Sequence, residues 1–230
     1  LDIAGYKNKL YQITLNLYGK VLYITNYDNI IIDCDNMELA LKIVDLLNKG
    51  KKYNINEITK KLNGHYSFVH RVINQLVKEG VVYKEKVGKA YLCSLYWDHE
   101  KVLPLIQLAE IEKREDFYSK NKSIKLLLLD FIETATAKDC ICSVILFGSY
   151  AKGTSTKESD IDILILTKGS RGIGKITKEI YAKYGREINV IIMAPKDFGK
   201  QKEEAITKEI REHHYVLYGV ADFIKLIQEK

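Results

Sequence analysis

The sequence predicts an α+β protein of two domains, a small helical domain closed by a β-hairpin and then a larger mixed α/β domain. Three observations predict this. The chain has 230 residues, more than one small domain needs and about right for two. Residues 37–97 read as three short helices and a hairpin, and the charge excess of the chain is concentrated there. Residues 143–166 read as a strand, a Gly-Ser turn, a polar loop and a second strand whose apolar run contains two aspartates.

Composition narrows the class. Hydrophobic residues make up 47% of the chain and charged residues 29%, an ordinary globular balance. No apolar stretch reaches the ~18 residues of a membrane span, and "LDIAGYKNKL" lacks the apolar centre of a signal peptide. Cys34, Cys93, Cys140 and Cys142 form no CxxC pair, so buried reduced thiols and a cytoplasmic location are expected, with no membrane partner.

The elements follow in order. Residues 9–33 alternate apolar and polar side chains and predict two or three strands, with turns near Gly19 and at Asp28-Asn29. They form an N-terminal β extension over 1–35, to which no function attaches. From Met37 the period changes to that of a helix, with Leu39, Ile43, Leu46 and Leu47 on one face behind a possible Asn36 cap. A second helix follows, capped by Asn54 or Asn56, with Ile58 and Leu62 inward. "SFVHRVINQLVKEG" is the third, with Ser67 as its cap and an apolar stripe of Val69, Val72, Ile73, Leu76 and Val77. "VVYKEKVGKAYLCSLYW" then predicts a hairpin turning at Gly88-Lys89.

Three helices and a hairpin within sixty residues resemble a winged helix-turn-helix domain, covering 36–97. The resemblance implies a recognition helix from Ser67 to Lys78, presenting His65, Tyr66, Ser67, His70, Arg71 and Asn74, and a wing carrying Lys84, Lys86 and Lys89. These types suit phosphates and base edges of duplex DNA. Residues 36–97 hold 11 Lys and Arg against 5 Asp and Glu, an excess equal to the net +6 of the whole chain. A localised basic excess fits a nucleic-acid footprint, and a protein-interaction or dimer module is the other reading.

Residues 98–138 predict two helices. The first, with Pro104 early in it, forms a linker over 98–122 or a homodimer contact. The second is apolar on one side and opens the last domain, 123–230.

Residues 143–147, "SVILF", predict a buried strand. Gly148-Ser149 and a helical turn follow, which places backbone N–H groups and a hydroxyl where an anion can be held. On the next strand, alternation sends Asp160 and Asp162 to one face and Ile161, Ile163 and Ile165 to the other. Two buried carboxylates side by side are costly unless something neutralises them. A divalent cation with a substrate phosphate does so, and hard oxygen ligands suit Mg²⁺.

The stretch from Phe147-Gly148-Ser149 through ten residues to Asp160-Ile161-Asp162 resembles the nucleotidyltransferase superfamily typified by DNA polymerase β, especially its minimal members. The resemblance covers about 124–195. It implies transfer of a nucleoside monophosphate from an NTP to a hydroxyl acceptor of unknown kind (protein, RNA or small molecule), with two Mg²⁺ ions. It further implies that Asp160 and Asp162 bind metal and that Gly148, Ser149 and Lys152 hold the phosphates. A third carboxylate is implied on a neighbouring strand. Glu187 and Asn189 of "GREINVIIM" lie on one face. The similar pattern of aminoglycoside nucleotidyltransferases favours Glu187, which is then expected to complete the first metal site as a catalytic residue and take the proton, whereas minimal members would align Asn189, which is no carboxylate. The competing function is a DNA-binding regulator or antitoxin whose nucleotidyltransferase-like domain only binds nucleotide. Gly172 and Gly174 fit no P-loop spacing, and His213-His214, opening a last helix, are expected to be half-exposed and structural.

Overall fold

The computed structural model describes residues 13–17, 20–24, 34–169, 172–201 and 204–228, with side chains from residue 36 onward. It divides into two compact units between Ile106 and Gln107. The expected turns near Gly19 and at Asp28-Asn29 lie outside the described residues.

In the first unit, β1 (Ile13–Leu17) and β2 (Lys20–Ile24) pair antiparallel. Helix α1 (Cys34–Asn48) begins two residues before the expected Asn36 cap. A two-residue strand β3 (Tyr53–Asn54) leads into α2 (Ile55–Lys61). Asn54 caps α2: its side chain accepts from the Glu57 N–H at 3.0 Å, and Glu57 accepts from the Asn54 N–H at 2.8 Å. Helix α3 (Tyr66–Lys78) starts behind His65, with no side-chain cap, so Ser67 lies inside the helix rather than capping it. The His65 carbonyl already accepts from Phe68 and Val69, which closes the first turn two residues before a Ser67 cap would. Strands β4 (Val82–Val87) and β5 (Ala90–Leu95) form the expected hairpin around Gly88-Lys89, and the sheet runs β3-β5-β4. Val69, Val72, Ile73 and Leu76 of α3 are fully buried, as are Ile43, Val44 and Ile58. Val77 is only half-buried.

Helix α4 (Val102–Lys120) spans the division, with Pro104 in its first turn, where the missing N–H has no helical partner to lose. The second unit continues with α5 (Lys122–Lys138), β6 (Ile141–Phe147), α6 (Gly148–Lys152), β7 (Ile161–Thr167), α7 (Ile173–Tyr184), β8 (Ile188–Met193), α8 (Pro195–Lys200), α9 (Ala205–Glu212), β9 (Tyr215–Tyr218) and α10 (Val220–Gln228). The sheet order is β8-β7-β6-β9. Strands β7 and β8 run parallel, and the other pairs are antiparallel. One face packs on α5 and α7 through Ile161, Ile163 and Ile165, and the other on α8, α9 and α10 through Leu164 and Leu166. All five of these β7 side chains are fully buried. Each contributes about 1.5–3 kcal/mol, so the strand that carries the aspartates is held firmly from both sides.

Two expectations need correction here. The segment "HHYVLYGVADFIKLIQE" is not one helix but strand β9, a turn and α10. Gly219, at φ +70°, makes the break, and an added Cβ there would meet the Cys142 carbonyl oxygen. Nor is His214 half-exposed: it is buried, its Nε2 3.1 Å from Glu110 Oε1 of α4 and its Nδ1 2.6 Å from the Ile210 carbonyl oxygen. Among the thiols, Cys93 is buried and Cys142 half-buried, whereas Cys140 is exposed because it precedes β6 in the turn out of α5.

Candidate active site

The site grows out of the end of β6. Phe147 is the last strand residue, and Gly148 turns the chain at φ +68°, a region that favours glycine. The turn also needs glycine for space, because an added Cβ would lie 2.0 Å from Asp162 Oδ2. The short α6 ends at Gly153, and the Thr154 N–H returns to the Ser149 carbonyl at 3.0 Å. The loop to β7 is fixed by Thr156 and Ser159, whose backbone and hydroxyl groups bond each other. Arg186 ties the two ends together, donating to the Tyr150 hydroxyl at 2.5 Å and to the Ser159 carbonyl at 2.7 Å. So the Gly-Ser turn and the residue before Asp160 are clamped by one guanidinium.

Asp160 precedes β7 and is exposed, while Asp162 is the second residue of the strand and half-buried. The Asn189 side-chain amide donates to Asp160 Oδ2 at 3.3 Å and to Asp162 Oδ1 at 3.5 Å. One nitrogen within reach of both carboxylates means that the pair converges on a point. Partial burial pushes the Asp162 carboxyl up from its ordinary value. The Asn189 bond opposes this, and the charges of Asp160 and Glu209 reinforce it.

Asn189, not Glu187, stands beside the pair. Asp162 is in register with Asn189 across the parallel β7–β8 ladder. Glu187 lies one residue before β8 and is exposed, and its carbonyl accepts from the Ile161 N–H at 3.0 Å. Among the described residues, no three His, Cys, Asp or Glu side chains gather closely enough to hold a metal ion. The two aspartates would hold a divalent cation together with phosphate and water oxygens, and it would supply charge neutralisation there.

Ser149 is half-buried on α6, next to Gly148. Lys152 is held by Glu209 of α9, with Nζ 2.8 Å from Oε1. The sequence alone points to no role for Glu209. Nothing in local spacing relates it to Lys152, and only the return of α9 to the sheet brings it there.

In the first unit, His65, Tyr66, Ser67 and Arg71 are exposed along α3, with Tyr66 stacked on His70. Lys84 donates to the Asn74 side chain at 2.5 Å, which joins the α3 surface to β4. Lys86 and Lys89 are exposed on the hairpin. Arg71 donates to the buried Asn36 side chain at 3.2 Å and lies over the Phe68 ring, so part of its work is packing.

Residues 127–214 match the nucleotidyltransferase domain family. Two proteins of Methanocaldococcus jannaschii, both provisionally named protein adenylyltransferases, are similar. One is 29% identical over 119 residues, covering 47% of this chain and 81% of its own. The other is 38% identical over 79 residues, covering 34% of this chain and 79% of its own. A crystal structure of a toxin-antitoxin with AMP-PNP matches 46% of this chain and 83% of its own at 19% identity. Its TM-score of 0.32 is too low to bear on fold or ligand. The chain belongs to the nucleotidyltransferase domain family. No helix among the described residues is long and apolar enough to cross a membrane.

Proposed function

We propose that the second unit transfers a nucleoside monophosphate from an NTP to a hydroxyl acceptor and releases pyrophosphate, with Mg²⁺ as the cation. The observation that carries this reading is the convergence of Asp160 and Asp162 on one point beside the Gly148 turn. When bound by the two aspartates, Mg²⁺ would neutralise triphosphate charge and act as a Lewis acid on its oxygens. Ser149 and the Gly148 N–H donate to the phosphates, and the Lys152 ammonium adds positive charge. The Arg186 clamp keeps the turn and the aspartates at fixed separation, so catalysis rests on positioning and charge neutralisation. The names of the relatives favour ATP as the donor and a protein hydroxyl as the acceptor.

The first unit is proposed to be a winged helix that binds duplex DNA. His70, Asn74, Lys84 and Lys86 supply donors along one helix-and-hairpin surface, and the basic excess of 36–97 supplies the charge.

The test is incubation with Mg²⁺, cell extract and ATP labelled at the α-phosphate, beside the same reaction labelled at the γ-phosphate. Transfer of the α label alone is expected. Transfer of the γ label would mean phosphoryl transfer and would overturn the reading. Asn189 favours a second reading, a regulator or antitoxin that binds Mg-nucleotide without transfer, because no carboxylate completes a second metal position. In that case wild type labels nothing and Asn189→Asp gains labelling.

A further inference from the structure

Beyond the nucleotide site itself, we propose that Glu209 is a latch on Lys152 that makes nucleotide binding depend on the divalent cation. The inference rests on the reading of Asp160, Asp162 and Lys152 as a metal–triphosphate site.

Three features place the latch. Lys152 Nζ is 2.8 Å from Glu209 Oε1. Lys152 lies four residues after Gly148, and Gly148 is packed so closely on the Asp162 carboxylate that it leaves no room for a Cβ. Glu209 sits on α9 beside Ile210, which shares a buried cluster with Leu164 of β7. Asp160, Asp162 and Glu209 thus set three carboxylates against one ammonium around α6 and β7.

That balance has a consequence for the ligand. An ammonium alone beside the Gly-Ser turn would attract any polyphosphate, with or without metal. With Lys152 engaged by Glu209, a bare triphosphate meets the carboxylates and no available cation among these four side chains. A nucleotide that arrives with a divalent cation relieves the repulsion at the aspartates and binds with Lys152 still on Glu209, whereas a bare triphosphate needs the ammonium and must first draw it from Glu209. The latch is weak enough to open. The Lys152 and Glu209 side chains are 41% and 33% exposed, and an ion pair so exposed shifts an equilibrium by no more than about five-fold. Glu209, once released, faces water rather than a dry interior. No bond is made or broken in this exchange, only one ion-pair partner for another.

The experiment is calorimetric titration of ATP into the full chain, once with Mg²⁺ and once with EDTA. It uses wild type, Glu209→Gln, Glu209→Asp, Lys152→Gln and the double variant Glu209→Gln/Lys152→Gln. Glu209→Gln should tighten metal-free ATP binding by up to about five-fold and change Mg-ATP binding less than about two-fold, so that the preference for the metal complex falls. Glu209→Asp, which keeps the charge, should stay close to wild type. The double variant should bind metal-free ATP no better than Lys152→Gln, because the gain acts through the freed ammonium. An unchanged metal preference in Glu209→Gln, or a gain that survives loss of Lys152, would overturn the latch while leaving the nucleotide site in place. A wild type that binds no Mg-ATP would overturn the nucleotide site and the latch together.

Discussion

Replacing Gly148 by alanine should damage the site through a contact whose size can be worked out. At φ +68° an L side chain already costs roughly 1–2 kcal/mol. The new Cβ would then lie 2.0 Å from Asp162 Oδ2, 2.8 Å from its Cγ and 3.0 Å from its Cβ. Contacts of Cβ atoms under 3.0 Å essentially never occur, so the oxygen must retreat by at least 1 Å. Turning the carboxyl alone does not suffice, because three successive atoms of Asp162 are close. Either α6 or β7 has to shift, and β7 is packed on both faces. Overpacking of this kind costs about 1–3 kcal/mol, for a total of about 2–5 kcal/mol. Gly153 provides the control. It has φ +71° with nothing within 4 Å of an added Cβ, so Gly153→Ala should cost only the backbone strain, about 1–2 kcal/mol. Urea unfolding of the two variants, followed by Mg-ATP titration, reads both effects. Gly153→Ala should bind within about three-fold of wild type, and Gly148→Ala should bind at least ten-fold more weakly. Equal stability and equal binding in the two variants would refute the reasoning.

Three further outcomes are expected. Burial opposes ionisation of Glu110, but His214 and Lys113 outweigh it and hold the carboxyl down at about 2 against an ordinary 4.5. Its ionised form therefore contributes stability above about pH 4.5, worth about 3 kcal/mol, which is lost as pH falls toward about 2. Glu110→Gln should lose that stability at neutral pH and flatten the acid limb of a denaturation series, and a limb unchanged in slope would contradict this. Duplex DNA should bind the chain with an affinity that falls with salt, and Lys86→Ala should lower the slope by about one. Arg71→Ala should also destabilise the first unit, since Arg71 bonds Asn36; a slope that Lys86→Ala leaves unchanged would remove the hairpin from the interface. Glu187→Gln should leave nucleotide binding and labelling near wild type, since Glu187 is exposed outside β8, and a large loss would restore it to the site.

The sequence made the aspartate face legible because side-chain parity on a strand is strict: Ile161, Ile163 and Ile165 had to oppose Asp160 and Asp162. Parity could not choose between Glu187 and Asn189, which share a face. Register does not choose either, since Ile161 faces Ile188 and Asp162 faces Asn189; what singles out Asn189 is its side-chain amide, which bonds both aspartates. Strand β9 is not legible in the sequence because the four residues Tyr215–Tyr218 are too few to show a period. Gly219 was the available signal, and its reason, close approach to Cys142, is tertiary. The same holds for His214, whose partner Glu110 is 104 residues away, and for Glu209, 57 residues beyond Lys152.

The central claim is that Asp160 and Asp162 together form a cation-dependent nucleotide site. Its most direct measurement is titration of Mg-ATP into wild type, Asp160→Asn and Asp162→Asn, each repeated with EDTA. Wild type should bind Mg-ATP well above metal-free ATP, and either substitution should weaken the Mg-ATP complex by at least ten-fold, because the charge that holds the cation is lost. Binding by both variants at wild-type affinity, or equal binding by wild type with chelator present, would contradict the claim.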